Sequence, residues 1–199
     1  MNTEAGTHPL VLSAATLSRT LLAPLPSRVR HTEGVVSRAA ALTDTVPVRA
    51  RHTLLAAAWL HDVGYAPRLA STGFHPIDGA RHLASLGWSP EICGLVAHHS
   101  GARFVADLQG LGDQLDEFEF VEDALTDALT VADQTSGPQG QPLTLEDRMQ
   151  NMLSRHGSDS VNARAHPQRA RYFRSAWARV AARRLVLSPD IGSLVPLAS

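Results

Sequence analysis

Leu54-Leu55-Ala56-Ala57-Ala58-Trp59-Leu60-His61-Asp62-Val63-Gly64 is apolar on every face of a helix until it ends in a histidine, an aspartate and a glycine. A helix that is apolar all round belongs at the centre of a fold. Residues 48–63 are therefore expected as a buried central helix with Gly64 as its terminator. That places His61 and Asp62 at the end of the most buried element, where an uncompensated carboxylate is costly. A cation facing the pair would compensate it.

Working toward the N-terminus, Pro24-Leu25-Pro26 closes a weakly apolar segment, and Ser27 can cap a helix running to about Leu42. His31, Val35, Arg38 or Ala39, and Leu42 recur at helical spacing and form its inward stripe. In the other direction residues 65–74 read as a loop, and His75-Pro76 opens a helix that Gly87 follows. Ser89-Pro90-Glu91 opens another, which carries Ile92, Leu95 and Val96 inward and ends at His98-His99. Residues 101–119 lack periodicity and read as a long loop with room for a short helix. A helix from about Val121 to Gln134 sets Asp133 beside its apolar stripe, residues 135–142 form a loop, and two further helices are expected near 145–155 and 167–187. No strand alternation and no repeat is legible, so the fold class is all-α. The domain is expected over 27–145, with residues 1–26 packing on it, 146–187 completing it and 188–199 as a tail.

The 199 residues suit one domain with a sizeable core. A hydrophobic content of 44%, a charged content of 19% and a net charge of −1 describe an ordinary globular protein with no general affinity for polyanions, so nucleic acid is not the expected partner. All 18 Lys+Arg residues are Arg, which removes lysine as nucleophile or phosphate clamp. Cys93 is the only cysteine and lies in an apolar run, which favours packing over catalysis and a reducing, cytoplasmic setting. The N-terminal residues lack a basic region, and the apolar stretch from Leu10 is interrupted by Ser13, Thr16, Ser18 and Arg19, so neither a signal peptide nor a spanning helix is expected. Acidic residues crowd 113–127 and arginines crowd 164–184, solvated faces that can pair within the fold or across a homodimer.

His31, His61, Asp62, His75, His98 and Asp133 each fall at a helix end or on an inward stripe, with His99 as a spare beside His98. They divide for two metals: His31, His61, Asp62 and Asp133 around one, with Asp62 bridging to a second held by His75 and His98. Mixed nitrogen and oxygen ligation favours Mn, Fe, Co, Ni or Zn over Mg. His8, His52, His82, His156 and His166 read as structural or surface residues.

These residues resemble the HD-domain superfamily of all-α, metal-dependent phosphohydrolases, whose dinuclear members carry an H…HD…H…H…D order. The resemblance rests on Arg30-His31-Thr32-Glu33-Gly34-Val35, Ala58 to Gly64, Phe74-His75-Pro76-Ile77-Asp78-Gly79-Ala80, Val96-Ala97-His98-His99 and Val131-Ala132-Asp133, and covers roughly residues 27 to 145. It implies a helical bundle around a metal site. It also implies hydrolysis of a phosphoester of a small molecule, a nucleotide foremost, by a metal-activated water. Enzymes of this superfamily that cleave cyclic dinucleotides carry a Gly-Tyr-Pro element after His-His-Glu, whereas Ser100-Gly101-Ala102-Arg103 follows here. The alternative in the same superfamily is a mixed-valent diiron oxygenase, which shares the ligand pattern. Asp62 is expected as the shared catalytic ligand and Arg68 and Arg103 as phosphate contacts. His99 is expected as a general acid, a further ligand or a helix-end histidine.

Overall fold

The quoted stretch forms the middle of the molecule. In the computed structural model, which describes residues 7–157 and 159–187, every side chain from Leu54 to Leu60 is buried. Around this helix, α3 (Arg51–Leu60), pack α1 (Pro9–Leu22), α2 (Pro26–Ala40), α5 (Pro90–His98) and α8 (Ala124–Gln134). Its apolar surface is thereby used on all sides, and truncating a core residue such as Leu54 would cost about 2–5 kcal/mol. The helix is shorter than its apolar run suggests. Residues 48–50 form a 3-10 turn before it, and Asp62 leaves helical geometry after it at φ −105°, ψ 7°.

α4 (His75–Ser85) and α5 pack against each other. Pro76 stands in the first turn of α4, and the Ser89 hydroxyl accepts from the Ile92 N–H at 3.3 Å to cap α5. Gly64 has a role beyond ending a helix, since a Cβ there would lie 1.9 Å from the His75 carbonyl oxygen. The chain after α3 thus touches the first turn of α4 backbone to backbone.

Four further stretches differ from the sequence expectation. The N-terminal segment is a full helix, α1, buried through Val11, Ala14, Leu21 and Leu22. The expected loop at 101–119 contains α6 (Arg103–Gln109) and α7 (Gly112–Leu115), with Gly110 ending α6 at φ 70°. The last helix, α10 (Val161–Leu187), begins before Pro167. The Ser160 hydroxyl accepts from the Ala163 N–H at 3.1 Å and supplies the start that Pro167 was expected to mark. α8 likewise begins later than expected, at Ala124, because Asp123 caps it with both bonds at 2.9 Å.

α10 packs along α8 and α6, with α9 (Leu145–His156) beside it. Its arginines pair within the fold: Arg179 and Arg183 with buried Asp127, Arg174 with Glu146, and Arg184 with Asp44. The described residues contain one isolated bridge between Ser136 and Pro142 and otherwise no strand, so the fold is all-α. None of the described helices is long and apolar enough to cross a membrane. The expected tail, 188–199, lies outside the described residues.

Candidate metal centre

Two groups of three side chains converge between α2, α3, α4, α5 and α8. His31, His61 and Asp133 form the inner group, and Asp62, His75 and His99 the outer one. Within each group the ligand atoms lie within 4.8 Å of one another. Asp62 stands between the groups. Its Oδ2 is 3.2 Å from His61 Nε2 and 3.6 Å from His31 Nε2, while Oδ1 is 3.4 Å from His75 Nε2 and 3.7 Å from His99 Nε2.

Backbone carbonyls set the direction of the imidazoles. Nδ1 of His61 meets the Ala58 carbonyl at 2.9 Å, Nδ1 of His99 the Val96 carbonyl at 2.6 Å, and Nδ1 of His31 the Gly137 carbonyl at 3.0 Å. A carbonyl only accepts, so each Nδ1 must carry the proton, and the neutral ring turns an Nε2 lone pair inward. The inward contacts are then unsatisfied. His61 Nε2 is buried without an aligned hydrogen-bond partner, His75 Nε2 and His99 Nε2 face each other at 3.3 Å, and His31 Nε2 is 3.0 Å from Asp133 Oδ1. Lone pairs opposed in this way fit a cation at their focus, and the donor set fits a borderline divalent metal.

The electrostatics agree. Burial opposes ionisation of Asp62, yet His61 and Arg28 hold its carboxyl well below the usual carboxylate range. Burial opposes ionisation of Asp133 too, and it is outweighed by the contact with His31 and the fields of His61 and Arg148. Burial pushes His61 down, yet the two carboxylates raise it, a pull toward a positive charge at Nε2 that a bound cation would supply in place of a proton. Burial lowers His75. Burial, and then the neighbouring His61 and His75, push His99 down to about 3, which keeps its ring neutral.

Of the residues expected here, His31, His61, Asp62, His75 and Asp133 come together. His98 does not. Its Nε2 meets the Phe118 carbonyl at 2.7 Å, on the far side of α5, and the spare, His99, takes the place beside His75. Successive residues on a helix point about 100° apart, and the chain leaves α5 at this pair, so spacing alone could not choose between them. The turn that makes the choice runs through Ser100, at φ 52° and ψ 35°, the described non-glycine residue with positive φ. Its hydroxyl donates to Asp133 Oδ2, which also accepts from the Gln134 amide at 2.8 Å.

The expected phosphate contacts lie elsewhere. Arg68 is exposed on a 3-10 turn and lines no part of the cavity above the cluster. Arg103 is held over Phe104, Phe120 and Tyr172, 4.5–5.2 Å from their ring centres. The arginines that line the cavity are Arg28, Arg148 and Arg169. Arg28 was missed in the sequence, although its place one turn before His31 on the same face could have pointed to it. It donates to Asp62 at 2.6 Å and stacks on Tyr65, which itself stacks on His75 at 3.8 Å. Asp78, one turn after His75, accepts from the Ser71, Thr72 and Gly73 N–H groups at 2.8–3.2 Å and so shapes the loop entering α4. Gln134 faces the cavity, whereas Thr135 and Ser136 bond back to the Val131 and Ala132 carbonyls and make the turn. Cys93 is buried away from the cluster, and burial pushes its thiol up.

A family model described as HD domain matches residues 28–151. No curated protein and no solved structure matches the chain.

Proposed function

The chain belongs to the HD-domain family, a family of metal-dependent hydrolases, and we propose on that premise that it hydrolyses a phosphoester of a small molecule, with nucleotides as the first candidates. The observation that carries the reading is the position of Asp62, with one carboxylate oxygen turned to the inner group and the other to the outer. That arrangement supports two divalent transition metals: one held by His31, His61 and Asp133, one by His75 and His99, and Asp62 shared between them. Bound there, such ions supply Lewis acidity, which acidifies water and draws charge from phosphoryl oxygens.

The chain's own residues do the rest. Backbone carbonyls hold the His31, His61 and His99 rings so that Nε2 faces the cluster. The Ser100 hydroxyl and Gln134 amide occupy Asp133 Oδ2, which leaves Oδ1 directed at His31. Arg28 steadies Asp62 and places a positive charge at the cavity wall, and Tyr65 and Phe74 wall His75 on its open side. The substrate reaches the cluster through this cavity of about 400 Å³. The test is phosphate release from a panel of nucleotides and sugar phosphates with Mn, Co, Ni, Fe or Zn, with and without O₂. Metal-dependent release without O₂ is expected. Absence of release with every metal, or turnover requiring both iron and O₂, would overturn the reading.

A further inference from the structure

The cavity above the cluster holds more positive charge than the cluster needs. Its walls carry three guanidiniums, Arg28, Arg148 and Arg169, against two carboxylates, Asp62 and Asp133. Arg28 is committed to Asp62 at 2.6 Å. The other two are not matched in this way. Arg148 is buried, its Nε has no hydrogen-bond partner, and its Nη2 stays 3.6 Å from Asp133 Oδ1, an oxygen already facing His31. Arg169 spends Nε and Nη2 on the Ser100 carbonyl, at 3.2 and 3.1 Å, and Nη1 on Asn162 Oδ1 at 3.1 Å. All of these acceptors are neutral, and two of its five N–H groups stay free.

Two like charges drawn into a protein against one shared carboxylate, Asp133, which also faces His31, are under-compensated unless a ligand supplies further negative charge. Burial weighs most against the charge on Arg169, Asp133 favours it and the neighbouring Arg148 opposes it, and the net direction is down. Polar amides of Gln109, Gln134 and Asn162 line the same walls, so the space suits a hydrated or hydrogen-bonding anion.

We propose that Arg148 and Arg169 form an anion-binding site for the substrate's phosphoryl group, and that the surplus of guanidinium charge selects a phosphomonoester over a phosphodiester. This deepens the hydrolase reading and rests on it. A monoester carries about 1.5 to 2 negative charges near neutrality, and a diester carries one. Guanidinium forks match phosphate oxygens in pairs, which a monoester offers more freely because only one oxygen bears a substituent. Both arginines come from α9 and α10, and Arg169 lies beyond the part of the chain that the family model covers. The C-terminal helices thereby contribute to the choice of substrate.

The test pairs equilibrium binding with turnover on the full-length protein as purified. Inorganic phosphate is titrated calorimetrically into the parent and into Arg148→Gln and Arg169→Lys, with metal content and melting temperature recorded for each. Turnover of p-nitrophenyl phosphate and bis-p-nitrophenyl phosphate is measured in parallel. The parent is expected to prefer the monoester. Arg148→Gln is expected to weaken phosphate binding about tenfold or more, through loss of a charge-assisted bond, at unchanged metal content. Its loss on the monoester should fall on KM and exceed the loss on the diester. Arg169→Lys, which keeps the charge and loses the fork, should move the same way by less. Unchanged phosphate affinity in both variants, or a parent that prefers the diester, would overturn the proposal. If phosphate binds as expected and neither these esters nor any member of the nucleotide and sugar-phosphate panel is cleaved with any of the metals, the hydrolase reading fails while the anion site stands.

Discussion

The two halves of the metal centre are built from different materials. The inner half comes from the body of α2 and the last turns of α3 and α8, and His31, His61 and Asp133 are 2%, 0% and 5% exposed. The outer half comes from the chain after α3, the first residue of α4 and the turn after α5; Asp62 and His99 are as buried as the inner residues, and the difference in exposure lies in His75, whose side chain is 21% exposed. Helix interiors fix a ligand through packing, whereas turns fix it through specific hydrogen bonds and open it to the cavity. The inner group should therefore behave as part of the core and the outer group as a replaceable face.

Asp62→Ala is the severest test, because it removes the one residue that faces both groups. Turnover should fall to background and both metal equivalents should be lost, as measured by elemental analysis. Retention of either equivalent would make the halves independent and the bridge unnecessary. Next comes the pair His61→Ala and His75→Ala. The first should lower stability by about 2–4 kcal/mol through the cavity it leaves, along with metal content. The second should remove outer-site metal yet stay within about 0.5 kcal/mol of the parent in denaturant unfolding. Equal destabilisation by the two would erase the contrast. Ser100→Ala probes the hydrogen bonding behind Asp133 and should weaken metal binding about 10–100-fold in a competition titration. The smallest effect belongs to His98→Ala, which should cost about 1 kcal/mol through its bond to the Phe118 carbonyl and leave metal content and turnover unchanged.

The same contrast explains what could be read from the sequence. His31, His61 and Asp133 were legible because helical periodicity assigns a side chain to a face, and the all-α class followed from the same periodicity. The choice of His99 over His98 was not, because it depends on a left-handed Ser100, a residue type that rarely announces that conformation. Arg148 and Arg169 were missed for other reasons. On α9 the apolar stripe of Leu145, Met149, Met152 and Leu153 was there to be read and Arg148 stands at its edge, whereas α10 is long and carries arginines on every face, so that no stripe marks Arg169 as the one turned to the cavity. Arg68 and Arg103 were chosen for nearness in sequence to ligands, and nearness along a loop carries no direction. Cys93 and the Ser89 cap needed only local chemistry, and both were legible.

Gly64 sets a distance as well as a turn. Because it meets the His75 carbonyl backbone to backbone, the separation between Asp62 and His75 is gauged by main-chain thickness, with no side chain interposed to be repacked. A mechanical stop of this kind has one setting. Core residues around it can drift in size and the helices can adjust by rotamer changes, yet the outer half of the centre keeps its gap to the inner half. Any side chain at position 64, even a methyl group, would push the first turn of α4 outward and detune the metal centre without replacing a ligating atom.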